Sequence, residues 1–263
     1  MSDIPETPVP GAGPMEATAE SSLSTFAERH AVLARGYGGR ADPEDPADVL
    51  AMAVVLHIPK ADPPPRSSLL EAAAAAAVAV CLDERVGSGG EWEDRFLAWT
   101  GSRIRKVARR ARGAHWTAAQ DVPGLTVDVG GAHARAFVPG RVGDLDPRVK
   151  RLQIGGTDVA HDDAGAPTPG VPVLWIDPAL EMTVGKAAAQ VGHASMLLAG
   201  AMTPEQCQDW AHTGFACSVR DADEQQWRRA RALVEAGQAV AVRDAGFTEV
   251  APGSMTVVAA IRP

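Results

Sequence analysis

The chain has 263 residues, 46% hydrophobic and 22% charged, with a formal net charge of −8. That balance is globular, with material for one large domain or two of ordinary size. The longest apolar run, Ala72 to Leu82, is well short of the roughly twenty residues of a membrane span. The first twenty residues hold Asp3, Glu6, Glu16 and Glu20 and no Lys or Arg, unlike a secretory leader. Cys81, Cys207 and Cys217 are far apart and form no CxxC pair, which excludes a disulfide scaffold and a structural zinc site. The expectation is a cytoplasmic protein without a membrane anchor. Its acidity argues against a coat for DNA or other nucleic acid but leaves room for a local basic patch.

Residues 1–44 read as a disordered tail and a peripheral helix. The opening stretch is Pro, Gly, Glu, Ser and Thr, with too little apolar surface to offset its ordering entropy. Ser22 to Arg35 then sets Leu23, Phe26, Ala27, Val32 and Leu33 on one loosely helical face. Residues 45–143 form a first unit. It opens on a near-continuously apolar strand over 50–58, ended by the prolines of 59–65. Ser67 or Ser68 can cap an alanine-rich helix over 69–84. Near Gly124 the pattern turns to β, with Leu125, Val127 and Val129 alternating before a Gly-rich turn and the run Ala136 to Gly140. Residues 144–170, rich in Asp, Gly, Pro and Thr, read as a linker. Over 171–263 the order starts again: a strand over 171–176, an alanine-rich helix over 185–198, a short strand over 216–219 and an amphipathic helix over 223–235. Strands at Val240 and Val242 and over 255–261 close it.

The second set looks like a repeat of the first. A shift of about 113 places Thr100-Gly101 on Thr213-Gly214, Gly124 on Gly237, Val127 and Val129 on Val240 and Val242, and Pro139-Gly140 on Pro252-Gly253, without a gap. A shift of about 118 aligns Leu56 with Leu174, Ile58 with Ile176, and the two alanine helices. The order β, α, β, α, β, β therefore occurs twice. The competing reading is two unrelated α/β units that share common turn chemistry.

The second copy carries polar residues that packing does not require. Lys186, Gln190 and His193, at i, i+4 and i+7, share one helical face among small residues. A lysine in a helix's first turn opposes the dipole, so an anion is expected beside it. The bland reading is a solvated lysine with a glutamine and a histidine satisfied in the core. Asp244, at the end of a strand and followed by Gly246, is placed to aim a carboxylate into a crevice beyond the sheet, with the Thr248 hydroxyl nearby. Here the bland reading is an Asx turn in a hairpin. A phosphate loop is excluded because Leu180 and Ala187 stand where Gly and Ser or Thr are needed. There is no G-x-S-x-G elbow, and the histidines lack ligand spacing, so no catalytic metal is expected.

The runs Met182 to Ala194 and Arg243 to Ser254, with Trp210 and Gly214 between them, resemble the two signatures of the peptidyl-tRNA hydrolase 2 family over Val171 to Pro263. The resemblance implies an α/β three-layer sandwich with a small four-stranded mixed sheet, and the repeat implies that it is present twice. It also implies hydrolysis of the ester joining a peptide to the 3′ end of tRNA, without metal or organic cofactor. The family's functional positions fall on Lys186, Gln190, His193, Asp244 and Thr248. This chain departs at Val184, near a second cation common in the family, and at Val191, where a Cys is frequent. In the implied chemistry Asp244, directly or relayed by His193, orients and deprotonates water. Lys186, Thr248 and helix-start amides stabilise the oxyanion or hold the terminal phosphate.

Carried onto the first copy, Lys186 meets Ser68, Gln190 meets Ala72, His193 meets Ala75, Asp244 meets Gly131 and Thr248 meets Arg135. The first copy is therefore expected to be inactive. It holds instead Arg103, Arg105, Lys106, Arg109, Arg110 and Arg112 with no acid among them. The run is a helix by propensity and the start of a strand by alignment, and the ungapped frame favours the strand. These cations and Arg243 are the expected contacts to tRNA, against a solvated charged face. The family is commonly homodimeric, so the inactive copy is expected to pack where a second subunit would, as a one-chain pseudo-dimer. A non-catalytic tRNA- or ribosome-binding module is the competing function; all five polar positions being present favours the enzyme.

Overall fold

The computed structural model describes residues 25–156, 158–246 and 249–261. A helix, α1, covers 25–34 and buries Phe26, His30 and Leu33. The expected tail lies outside the described residues, as does Thr248.

Two mixed sheets follow in chain order. In the first, β1 (Leu50–His57) runs parallel to β2 (Arg105–Ala111) and antiparallel to β4 (Ala132–Phe137), which pairs with β3 (Gly124–Val129). A two-residue strand, β5 (Gly140–Arg141), lies beside the start of β1. In the second, β6 (Val173–Ile176) runs parallel to β7 (Ser218–Asp221) and antiparallel to β9 (Met255–Ala260), which pairs with β8 (Ala239–Arg243). The orders are β2-β1-β4-β3 and β7-β6-β9-β8, with identical parallel and antiparallel pairings; β5 is the one addition to the first sheet.

The alanine helices lie at the centre. Helices α2 (Arg66–Leu82) and α6 (Val184–Ala201) pack against each other, α2 on the first sheet with an edge on β7, α6 on the second with an edge on β2. A helix apolar all round must be buried, and Ala72 to Ala77 are buried without exception. The outer face of the first sheet carries Ala53, Val55 and Phe137 against Trp116, Val149 and Leu152. Trp116 belongs to α4 (Ala114–Ala119) and Val149 to α5 (Pro147–Lys150); α3 (Glu93–Thr100) precedes β2. The outer face of the second sheet is covered by α8 (Glu224–Glu235) through Trp227 and Ala230. Helix α7 (Pro204–His212) starts on a capping box in which Thr203 and Gln206 satisfy each other's amides.

The structure settles one sequence alternative and corrects two expectations. The basic run forms the strand β2, as alignment indicated and propensity did not. The segment 144–170 is not a free linker: Val149, Leu152 and Val159 are buried, and Asp162 accepts hydrogen bonds from the Ser67 amide and hydroxyl at the start of α2. The ungapped frame also fails after the third strand of each sheet. β3 turns into β4 through Gly130-Gly131, whereas β8 reaches β9 through the long loop from Asp244 to Ser254. Pro139-Gly140 follows a fourth strand while Pro252-Gly253 precedes one, so that pairing is a coincidence of turn residues. Likewise Arg135 sits inside β4 and is no counterpart of Thr248.

Candidate active site

The site begins at the amino end of α6. Thr183 caps the helix by accepting from the Lys186 amide at 3.2 Å. The Thr183 amide and hydroxyl both donate to Glu249 at 3.0 Å, which ties the loop after β8 to the helix start. A register shift at Val242/Arg243 re-aims the chain at the end of β8. The Asp244 amide then donates to the Ser254 carbonyl, and the Gly253 amide to the Asp244 carbonyl. Gly246 has φ +79, and a Cβ there would collide with the Pro252 ring, so only glycine closes this loop.

Lys186, Gln190 and Asp244 are brought together. Lys186 Nζ donates to Asp244 Oδ2 at 2.6 Å, both side chains being 8% exposed. Gln190 Nε2 donates to the same oxygen at 2.9 Å, and the Gly246 amide donates to Oδ1 at 2.7 Å. The buried Thr256 hydroxyl, on β9, donates to Gln190 Oε1 at 2.7 Å. This bond fixes the glutamine's amide orientation, so that its NH₂ faces the carboxylate. The anion that offsets the lysine's opposition to the helix dipole is thus internal. His193 shares the face but not the network: its Nδ1 lies 3.1 Å from Lys106 Nζ. Of the two options raised from the sequence, direct action of Asp244 or a relay through His193, the relay has no hydrogen bond between the two side chains among the described residues; the imidazole instead meets the first half of the chain. Burial, then the cations Lys106 and Lys186, hold the imidazole well below its ordinary pKa, so the ring is neutral at physiological pH.

These side chains line a cavity of about 700 Å³ at the junction of the two halves. One wall is α6 and the loop after β8; the other is Arg103 to Ala108, with Tyr37 and Gly38. Of the seven expected RNA contacts, Arg103, Arg105, Lys106 and Arg243 reach this cavity. Arg103 and Arg105 pair with Asp42 at 3.6 and 2.6 Å. Lys106 is buried within it. Arg109, Arg110 and Arg112 lie farther along or beyond β2. Arg109 is buried and donates to the Lys150 and Leu152 carbonyls, Arg110 donates to Gln153, and Arg112 is exposed. A six-cation clamp is therefore not what the run builds: several of its members satisfy carbonyls or carboxylates of the fold. Among the described residues no group of His, Cys, Asp or Glu side chains converges to hold a metal ion, and no helix is long and apolar enough to cross a membrane.

With this geometry in place, the chain can be compared with known families. Residues 171–263 match the family model of peptidyl-tRNA hydrolase PTH2. No curated protein and no solved structure matches the chain. The match to peptidyl-tRNA hydrolase PTH2 spans β6 through β9, and so contains α6 and the loop that carries Asp244. It leaves out β2, which supplies the opposite wall. Thr183, Glu249 and Thr256 were not singled out from the sequence. Thr183 was legible as a cap before Val184, whereas Glu249 and Thr256 act through contacts 66 residues distant along the chain.

Proposed function

We propose that the chain hydrolyses the ester between peptide and tRNA in peptidyl-tRNA, releasing both. The observation that carries this is the buried contact of Lys186 with Asp244, held by Gln190, all three within the matched residues 171–263 and at the wall of the cavity between the halves. Ester cleavage needs a positioned water, an acceptor for its proton and donors for the oxyanion that develops on the carbonyl. Asp244 supplies the carboxylate that orients the water and takes its proton. Lys186 and the opening-turn amides of α6 supply positive potential for the oxyanion. Thr248 belongs to this set by the family resemblance. Arg103, Arg105 and Arg243, at the cavity, are the groups we assign to the phosphates of the tRNA end.

The first half serves as a non-catalytic counterpart. Its α2 offers Ser68, Ala72 and Ala75 where α6 has Lys186, Gln190 and His193, and its third and fourth strands join by a tight turn in place of the loop. Recurrence of strand order and pairing supports an internal duplication. In this reading each sheet with the helices on its two faces is one three-layer sandwich, and packing of α2 on α6 makes a one-chain pseudo-dimer. Release of N-acylated aminoacyl ester from purified tRNA tests the activity. The wild-type chain cleaves the ester, and Asp244→Asn and Lys186→Ala slow turnover by about ten- to a thousandfold, the range for losing one acid–base or electrostatic group. Binding of tRNA without turnover would leave the chain a binding module.

A further inference from the structure

Lys106 is the least expected group in the cavity. It comes from the first half, on β2, beyond the family match, and is 9% exposed. Its stem crosses α6 at Gly192, where a Cβ would stand 3.1 Å from Lys106 Cδ and 3.1 Å from Ala77 Cβ. Its Nζ lies 3.1 Å from His193 Nδ1, 2.8 Å from Met196 Sδ and 5.2 Å from the centre of the Trp99 ring. Thioether and indole face are weak partners for an ammonium, which leaves the imidazole nitrogen as its one strong acceptor among these.

We propose that Lys106 is the positioning residue of His193: its ammonium donates to Nδ1 and fixes the neutral ring as the tautomer that carries its proton on Nε2. The ring then offers the cavity a hydrogen-bond donor in one orientation. On the hydrolase reading, on which the catalytic consequence rests, that donor serves the oxyanion, and the first half completes the active site of the second. The groups that bear on the pair are few. Burial lowers the Lys106 pKa to about 7, with Cys81 on α2 the counteracting neighbour. Cys81 is itself pushed up to about 12 by burial, so it remains a neutral thiol. From α6, Lys186 acts with Lys106 on His193. Tyr37 reaches the cavity from the segment before β1, and burial keeps its phenol protonated.

The test is the ¹⁵N spectrum of ring-labelled histidine in the full chain, with His193→Asn assigning the signal. The proposal expects His193 to show an unprotonated Nδ1 and a protonated Nε2 at about pH 6, below the Lys106 value of about 7, where the lysine is an ammonium. In Lys106→Met the two shifts move toward tautomer-averaged values, and the ring pKa rises as its cationic neighbour is removed. Lys106→Arg keeps a donor and restores part of the wild-type pattern. On peptidyl-tRNA, Lys106→Met lowers kcat by about ten- to a hundredfold, as for loss of a group that orients an active-site ligand, with KM changed less than about twofold. A wild-type Nδ1 that carries the proton overturns the proposal even if the variant does not fold. So does an unchanged spectrum in Lys106→Met, or a rise in KM with kcat intact, which would make Lys106 an RNA contact. A Lys106-dependent tautomer in a chain that cleaves no peptidyl-tRNA would defeat the hydrolase reading and leave the positioning role standing.

Discussion

At the residue scale the site is a competition between buried charges and their partners. Lys186 and Asp244 are both taken out of water, which is tolerable only because each charge is met: the lysine by Oδ2, the carboxylate also by the Gln190 and Gly246 N–H groups. Removing one partner exposes that cost. Asp244→Ala, which breaks this buried ion pair, is expected to destabilise the fold by about 3 kcal/mol, read as a shift of the urea midpoint. Gln190→Ala is expected to do less to stability and to slow turnover, since it removes one donor to the carboxylate and leaves the Thr256 hydroxyl without its amide acceptor. Lys106 sets a pH dependence. Between about 7 and its ordinary value of 10.5 the unfolded chain binds a proton that the folded chain does not. Stability therefore rises with pH through that window, and below it the cost of the buried cation is fully present. Lys106→Met removes this slope. The variant gains most on wild type at pH 6 to 7 and loses that advantage toward alkaline pH, as denaturant titrations at a series of pH values will show.

At the element scale, strand alternation explains why a basic run is not a basic patch. Along β2, successive side chains leave on opposite faces, so Lys106 enters the cavity beside α6 while Arg109 turns to the Lys150 and Leu152 carbonyls. Substitution of Arg103, Arg105 and Arg243 by Gln is expected to weaken tRNA binding and flatten its salt dependence, by about 0.7–0.9 in the log–log slope for each phosphate no longer neutralised. Filter binding across a salt series measures it. Helix α6 depends on its glycines for a different reason. Gly200 lets α1 approach so closely that a Cβ would sit 2.7 Å from the Leu33 carbonyl oxygen, and Gly192 admits the Lys106 stem. The Ala77 Cβ opposite Gly192 is fixed to α2 and cannot swing aside. Gly192→Ala is therefore expected to cost about 1–2 kcal/mol despite alanine's better helix propensity, and to lower kcat by displacing Lys106.

At the scale of the whole molecule, the two sheets share one core. The apolar cluster runs from the inner face of the first sheet through α2 and α6 to the inner face of the second. Polar ties cross the same junction. Glu71 on α2 pairs with Arg220 on β7 at 2.7 Å and also accepts from the Val219 amide, and Ser195 on α6 donates to the Ala74 carbonyl. Unfolding is expected as one calorimetric transition for both halves. Glu71→Ala, which leaves the mostly buried Arg220 guanidinium with the Gly165, Ala166 and Val219 carbonyls but no carboxylate, is expected to lower stability by about 1.5–3 kcal/mol without splitting the transition. Two transitions in the wild-type scan would mean that the halves are energetically independent, and that the cavity between them can open at little cost.

Much of this was legible in the chain itself. Apolar periodicity and turn residues marked β1, β6, β9, α2 and α6, because burial and backbone sterics are local consequences of residue type. Spacing placed Lys186, Gln190 and His193 on one face, since 3.6 residues per turn allows no other arrangement in a helix. The short helices α3, α4 and α7 were passed over. Each spans at most nine residues, too few for propensity to stabilise a helix alone, so tertiary packing makes them. The fate of the arginines, the partner of His193 and the anion beside Lys186 were likewise out of reach. Each depends on which distant segments meet, and contacts between residues 41 to 87 positions apart are set by how two sheets and their helices pack. The sequence alone determined that a cation, an amide and an imidazole would line one helix face. Only the tertiary structure decided that a carboxylate would bind the first two, and that a lysine from the other half would hold the third.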